Sequence, residues 1–314
     1  MSKQPLVSVI IPAFNVEGFI KNALNSALNQ TYSNIEIIII DDGSTDKTKE
    51  VLEPYITGGK IKYIYQANQG LAGARNSGIH KSRGKYITLL DADDEFLPEK
   101  IKKQVKALEA NPDYGICYCD IIHFSEGSPR KFYHHRYTYQ SGNLFELLLK
   151  KQFINPLSVI IKKDILDKWG VFDPELRHTE DWELWLRLSH TGVKFYYLDE
   201  PLALYQVRTS GNLSIIQNEP KMKENSLKVF ARLEKNLSEE ERNRYRFKGI
   251  IKNLKLKTTL AYLMIGDKKG AKNYIQNQSF ILKLLITFLP SQVWQTSLRL
   301  ARRIKHRFLL KKYS

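Results

Sequence analysis

The clearest chemical promise lies in the carboxylates of Leu90-Asp-Ala-Asp-Asp94, which follow the apolar run Tyr86 to Leu90. Asp91 and Asp93 are separated by one small residue. In an extended segment residues i and i+2 project to the same side, so these two can face one point, and Ala92 between them leaves room there. Two hard oxygen ligands at a strand end suit Mg²⁺ or Mn²⁺, which are held by one or two carboxylates together with the substrate's own phosphates. A second acidic centre is Thr179-Glu-Asp-Trp-Glu-Leu-Trp-Leu-Arg-Leu188. Thr179 is placed to cap a helix, and Glu180 and Asp181 fall in its first turn, where negative charge is favoured. Trp182, Trp185, Leu186 and Leu188 have the spacing of a buried helical face. Taken singly, these patterns also describe an acidic turn after a strand and an ordinary capped amphipathic helix.

The elements that must position these groups are legible as alternating strands and helices. Val7–Ile11 and Ile35–Ile40 are β-branched runs, read as strands buried on both faces of a parallel sheet. Pro12 ends the first, and a helix follows with Phe19, Ile20, Leu24, Ala27 and Leu28 on one face. The second ends at Asp41-Asp-Gly-Ser-Thr-Asp46, where Gly43 permits a tight turn and Ser44 or Thr45 can cap the next helix. Ile61–Tyr65 is a third strand, Leu71–Ile79 a helix carrying Arg75 and Asn76, and Tyr86–Leu90 the fourth strand. This order means α/β with a mostly parallel sheet. Ligands of such sheets sit at the carboxyl ends of the strands, where Pro12 to Asn15, Asp41-Asp42 and Asp91 to Asp93 all fall. Gly70, Gly73 and Gly78 lack the G-x-G-x-x-G spacing, and no Walker-type sequence occurs.

Composition narrows the class. A chain of 314 residues with 42% apolar content builds a real core, and its length suggests one large domain with an appendage. No apolar run approaches the roughly 20 residues of a spanning helix. The stretch from Leu6 reads as a first strand rather than a signal peptide. Cys117 and Cys119 are the only cysteines and alternate along a likely strand, which argues against a disulfide framework and fits a reducing compartment. The net charge of +16 is concentrated at the C-terminus: after Asp267 there is no acidic residue and there are 11 Lys or Arg, whereas the first 267 residues carry 38 cationic against 33 acidic side chains. The main domain therefore gives no sign of binding nucleic acid.

Five segments in order bring a family into view: Val7-Ser-Val-Ile-Ile-Pro-Ala-Phe-Asn15, Asp41-Asp-Gly-Ser-Thr-Asp46, Asn68-Gln-Gly-Leu-Ala-Gly-Ala-Arg-Asn-Ser-Gly78, Leu90-Asp-Ala-Asp-Asp94 and Thr179-Glu-Asp-Trp-Glu-Leu-Trp-Leu-Arg187. Together the chain resembles a family 2 glycosyltransferase of the GT-A fold over roughly its first two thirds. The resemblance implies a nucleotide-sugar donor, most often a uridine diphosphate sugar, and an inverting transfer to a hydroxyl. Carried over by position, it implies that Pro12, Ala13, Phe14 and Asn15 border the nucleoside, with Phe14 against the base and Glu17 at the ribose. Asp42 would accept a hydrogen bond from the base, and Arg75 would lie near the diphosphate. Asp91 would contact the ribose or a metal-bound water, with Ala92 beside it, and Asp93 would ligate the Mn²⁺ or Mg²⁺ directly. Asp181 would be the general base. Each has a plainer alternative: Phe14 in the core, Asp42 capping a helix, Arg75 paired with an acidic neighbour. Where the family often carries a histidine that completes the metal and phosphate site, this chain has Gln206 and Arg208. Arg208 cannot ligate a metal but can hold a diphosphate in bidentate fashion.

Segment 125–160, with its Tyr-, His- and Arg-rich stretch 130–139, is expected to shape the acceptor side. His134 and His135 are adjacent, so they point apart and make a poor metal pair. Beyond about residue 215 the pattern becomes helical and charged, giving a division into a catalytic domain 1–215 and a basic helical region 216–314. Leu227–Leu237 and Tyr245–Leu263 read as helices, Ala261–Ala271 resembles half of a tetratricopeptide-type pair, and Ile281–Leu289 is too short to span a bilayer. Segment 291–314 places Trp294, Leu298, Ala301, Ile304 and Phe308 among Arg and Lys, as in a helix lying on an anionic membrane surface; docking on its own domain and an RNA-binding tail are the alternatives. The expectation is a cytoplasmic enzyme, peripheral on the inner face of a membrane, that acts on a glycan or lipid-linked acceptor. The rivals are a nucleotidyltransferase acting on a sugar phosphate and a non-catalytic nucleotide-sugar-binding module.

Overall fold

The computed structural model describes residues 4–125, 133–134, 140–207, 212–275, 290 and 296. Arg208 and nearly all of segments 130–139, 281–289 and 291–314 lie outside the described residues. The chain divides into two compact units, Met1–Val207 and Arg208–Ser314.

In the first unit the strands are β1 (Val7–Ala13), β2 (Ile35–Asp41), β3 (Lys62–Tyr65), β4 (Tyr86–Leu89), β5 (Glu95–Phe96), β6 (Tyr114–Ser125), β7 (Tyr133–His134), β8 (Val159–Lys162) and β9 (Lys194–Val207). The helices are α1 (Ile20–Leu28), α2 (Thr48–Thr57), α3 (Gly70–Lys81), α4 (Lys100–Ala110), α5 (Phe145–Lys150), α6 (Lys163–Trp169) and α7 (Glu180–His190). The second unit has α8 (Asn212–Asn236), α9 (Glu239–Arg244), α10 (Phe247–Ile265) and α11 (Lys268–Lys272).

The strands form one nine-stranded sheet in the order β3-β2-β1-β4-β8-β6-β9-β5, with β7 on β6. β1 to β4 are mutually parallel, and β8 enters antiparallel to both β4 and β6. The apolar runs are explained by burial on both faces. Val7, Val9, Ile11, Ile37 and Ile39 join one core with Ile20, Leu24, Ile101 and Val105 from α1 and α4. Ile38 and Ile40, the alternate residues of β2, meet Ala74 of α3 on the other face. Close approach of α3 to β1 is enforced at Gly78, where a Cβ would lie 2.3 Å from Ile10 Cγ2. Cys117 and Cys119 are buried free thiols on β6, and Cys119 Sγ donates to the Ser158 carbonyl (3.3 Å).

Several local expectations are corrected. Neither Ser44 nor Thr45 caps α2, which begins three residues after Thr45. Their polar groups are spent on Asn15 instead: the Asn15 N–H donates to Ser44 Oγ (3.0 Å), and the Thr45 N–H donates to Asn15 Oδ1 (2.8 Å). Thr179 occupies the N-cap position of α7 without capping it, and its buried hydroxyl makes no hydrogen bond. The last strand, β9, extends well beyond the apolar run Leu202-Ala-Leu-Tyr205 that alone reads as a strand in the sequence, because β6 supplies a parallel partner along most of its length. No helix among the described residues is long and apolar enough to cross a membrane.

Candidate active site

The carboxyl ends of β1, β2, β3 and β4 share one edge, and the loops there are laced together by backbone donors. Asn15 holds a left-handed backbone (φ 52°), which asparagine tolerates better than most residues. The Glu17 N–H donates to Asp46 Oδ2 (3.0 Å), and Glu17 Oε2 accepts from the Lys47 N–H (2.7 Å). The structure therefore places Asn15 and Glu17 as sutures between the β1–α1 and β2–α2 loops. Pro12 and Ala13 are buried at the end of β1, and Phe14 leaves it 49% exposed. Tyr65 at the end of β3 and Leu71 at the start of α3 are also exposed large apolar groups on this edge, and sequence reasoning gave neither a role.

Asp41 and Asp42 are both buried but serve different partners. Asp41 accepts from the Ser44 N–H (2.8 Å) and the Tyr63 hydroxyl (2.6 Å). Asp42 Oδ1 accepts from Gln66 Nε2 (2.7 Å) and the Gln69 N–H (2.8 Å), and Oδ2 from the Gly70 N–H (2.8 Å). It thus ties the β3–α3 loop and the start of α3 to the end of β2, with about one acceptor position left for a ligand.

Arg75 is the hub. It is 2% exposed, and Nη2 donates to both oxygens of Asp91 (2.7 and 2.9 Å), while Nη1 reaches Glu180 Oε1 (3.5 Å). Its guanidinium also lies over the Phe172 ring, 5.5 Å from the centroid. Burial opposes its charge, but Asp91 and Glu180 more than offset that and hold its pKa above the usual arginine value. One side chain from α3 so joins the carboxylate loop after β4 to the first turn of α7, about a hundred residues away in sequence. The plainer reading, a pairing with acidic neighbours, describes Arg75 in this structure.

Asp91 and Asp93 remain part-exposed, Ala92 is buried, and Asp94 is almost fully buried. Asp94 accepts from the Gln206 N–H (2.9 Å), which fixes the acidic loop to β9. Burial, with Asp91 adding repulsion, pushes its pKa up to about 9. Among the described residues no group of three acidic, His or Cys side chains could hold a metal unaided. The stretch after β4 is a turn, closed by the Asp94 N–H to the Asp91 carbonyl (3.0 Å), rather than the expected extended segment, and Asp91 already accepts from Arg75 at both oxygens. As hard oxygen donors Asp91 and Asp93 still fit Mn²⁺ or Mg²⁺ completed by phosphate oxygens.

Asp181 stands in the first turn of α7. Its Oδ2 accepts from Gln152 Nε2 (2.6 Å) and its Oδ1 from the Trp182 N–H (2.7 Å). Burial and the neighbouring Glu180 raise its pKa to about 7, while Arg75 pulls the other way. That is where a general base working near neutral pH belongs. Asp91 and Asp181 both act on Arg75, so the structure brings the metal-type loop and the candidate base to one guanidinium.

Comparison with known proteins agrees with this architecture. The Glycosyl transferase family 2 profile matches residues 8–170. An uncharacterised glycosyltransferase of Rickettsia typhi is 36% identical over 197 residues, which is 61% of this chain and 61% of that protein. TuaG of Bacillus subtilis, provisionally named a teichuronic acid biosynthesis glycosyltransferase, is 31% identical over 74% of this chain and 90% of its own length. Staphylococcus aureus TarS 1–349 in complex with UDP-GlcNAc superposes with a TM-score of 0.65 at 17% identity, covering 93% of this chain and 88% of TarS 1–349. The mannosyltransferase PcManGT of Pyrobaculum calidifontis, in complex with GDP-Man and Mn²⁺, gives 0.61 at 18% identity, covering 95% of this chain and 85% of the enzyme. The chain belongs to glycosyltransferase family 2, and its likeness to the TarS and PcManGT structures gives it the GT-A fold. The matched family region stops before Asp181.

Proposed function

We propose that this protein transfers a sugar from a nucleoside diphosphate sugar, a UDP-sugar first, to a hydroxyl acceptor, with inversion at the anomeric carbon. The observation that carries the reading is the double use of Arg75, which sets the Asp91–Asp93 loop beside the first turn of α7. The exposed Phe14 and the spare acceptor position of Asp42 lie on the same edge and suit a nucleobase. An acceptor hydroxyl is a weak nucleophile, so Asp181 takes its proton as the oxygen attacks from the face opposite the leaving diphosphate. Asp93, with Asp91, would hold a divalent ion, whose charge stabilises the departing diphosphate when bound. Family membership and the ligands in the TarS and PcManGT structures support a sugar-nucleotide donor and a divalent ion. The TuaG likeness supports a cell-envelope glycan as the product, and the basic segment 291–314 would bring the enzyme to an anionic membrane face.

The test is a donor screen by thermal shift with Mn²⁺, since a ligand that binds only the folded state raises Tm. UDP-GlcNAc, other UDP-sugars and GDP-Man form the panel. A donor should raise Tm in a Mn²⁺-dependent way, and Asp93→Ala should abolish the metal-dependent part. Turnover should release a nucleoside diphosphate. Release of pyrophosphate from a nucleoside triphosphate would make the protein a nucleotidyltransferase instead.

A further inference from the structure

Asp181 is held from outside its own helix by a residue that no motif announces. Gln152 lies in the irregular segment between α5 and β8, and its Nε2 is 2.6 Å from Asp181 Oδ2. The same nitrogen lies 3.3 Å from the Ile154 carbonyl. Two acceptors around one atom require the NH₂ end of the amide there, so the orientation of Gln152 is set by chemistry. The segment that carries it is fixed to α7 by two indoles. Trp182 Nε1 donates to the Leu148 carbonyl (2.8 Å), and Trp185 Nε1 donates to the Ile154 carbonyl (3.0 Å). Trp185 is fully buried, so the Ile154 carbonyl on which the Gln152 amide rests is itself immobilised. Gln152 is therefore braced, and its second proton is aimed at the carboxylate.

We infer that Gln152 is a positioning residue for the reaction: its side-chain amide holds one oxygen of Asp181 and leaves the other lone pairs to meet the acceptor hydroxyl. This rests on Asp181 being the base. Hydrogen bonds to both carboxylate oxygens fix the rotation of the group, and a base must be aimed to within hydrogen-bond reach of the proton it takes. The charged groups that face Asp181 are Glu180 on its own helix and Arg75 from α3. Gln152 is neutral and donates, so it favours the ionised carboxylate and offsets part of the upward push that burial gives it. It also links the base to the acceptor-side segment, so a shift of that segment would reach the base directly.

The test compares Gln152→Met, which keeps the volume and removes the amide, with Asp181→Asn in the full-length protein. The first readout needs no substrate: the ¹³C carboxylate resonance of Asp181 in aspartate-labelled protein, assigned by its absence in Asp181→Asn, is followed against pH. Gln152→Met should raise its midpoint by about one pH unit, because a donor to the charged form is lost. The second readout is UDP release from UDP-GlcNAc. Gln152→Met should lower kcat by about tenfold with KM for UDP-GlcNAc nearly unchanged, and should move the acidic limb of the rate profile upward in step with the resonance. Gln152→Asn, which keeps the amide on a shorter arm, should recover part of both. An unmoved Asp181 midpoint in Gln152→Met would overturn the inference, as would an equal loss of UDP-GlcNAc binding. Full turnover in Asp181→Asn would instead remove Asp181 as the base, whatever Gln152→Met does to the resonance.

Discussion

Replacing Asp181 by Asn should shift stability in the variant's favour as pH rises to neutral and above, while removing its activity. The carboxyl's ordinary value is 3.8, and in the fold it is raised to about 7. With the folded value above the unfolded one, the group's contribution is most favourable below pH 3.8, declines as pH climbs from 3.8 to about 7, and is flat above that. The gap of about three units sets a ceiling of about 4 kcal/mol. Asp181 is only part-buried, and water screening cuts this to about 2 kcal/mol. Asn keeps one acceptor oxygen, so one of the two donors on Asp181, Gln152 Nε2 or the Trp182 N–H, loses its acceptor at a cost of about 1–3 kcal/mol. The variant should therefore be less stable than the wild type by that cost near pH 4 and gain about 2 kcal/mol on it by pH 8. Urea unfolding read by tryptophan emission suits the measurement, because Trp182 and Trp185 lie on the same helix. Turnover should fall by about 10² to 10⁴ in the same protein. A variant less stable than the wild type by the same margin at both pH values would refute the argument that burial strains this carboxylate.

Arg75→Met should cost about 3–5 kcal/mol, because it strands the acids that the buried guanidinium serves; the urea midpoint reports it. Arg75→Lys should recover only part, since an ammonium lacks the planar fork. Gly78→Ala should destabilise by about 1–3 kcal/mol, as its methyl would press on the fully buried Ile10 with no open space to take up the strain. Asp42→Asn should cost about 1–3 kcal/mol, because three donors converge on a group that would keep one acceptor oxygen; it should also reduce the donor-induced Tm shift by loosening the β3–α3 loop.

Much of this molecule is legible in its sequence where burial on two faces writes a continuous apolar run. β1 and β2 fall where Val7–Ile11 and Ile35–Ile40 predict them, and the parallel order follows from the helices between. The N-terminal half of β9 was not legible. Asp199, Glu200 and Pro201, types depleted in strands, fall at its end, and the segment becomes strand because β6 lies alongside with register shifts that absorb the irregularity. The short helices α5 and α6 carry too few turns for a periodic signal. Thr179 had the residue type of a cap without the geometry, and no local pattern shows that Glu17 Oε2 accepts from the Lys47 N–H of the next loop.

By itself the sequence determined the family and the α/β order and singled out a set of carboxylates, because periodicity and motif spacing are local properties that survive in one dimension. Only the tertiary structure decided how those carboxylates are used. Arg75 meets Asp91 across 16 residues and Glu180 across 105, and Gln152 meets Asp181 across 29. Contacts between side chains so far apart depend on how helices α3 and α7 close over the strand ends. The raised pKa values of Asp181 and Asp94 follow from their burial, and no local pattern encodes it.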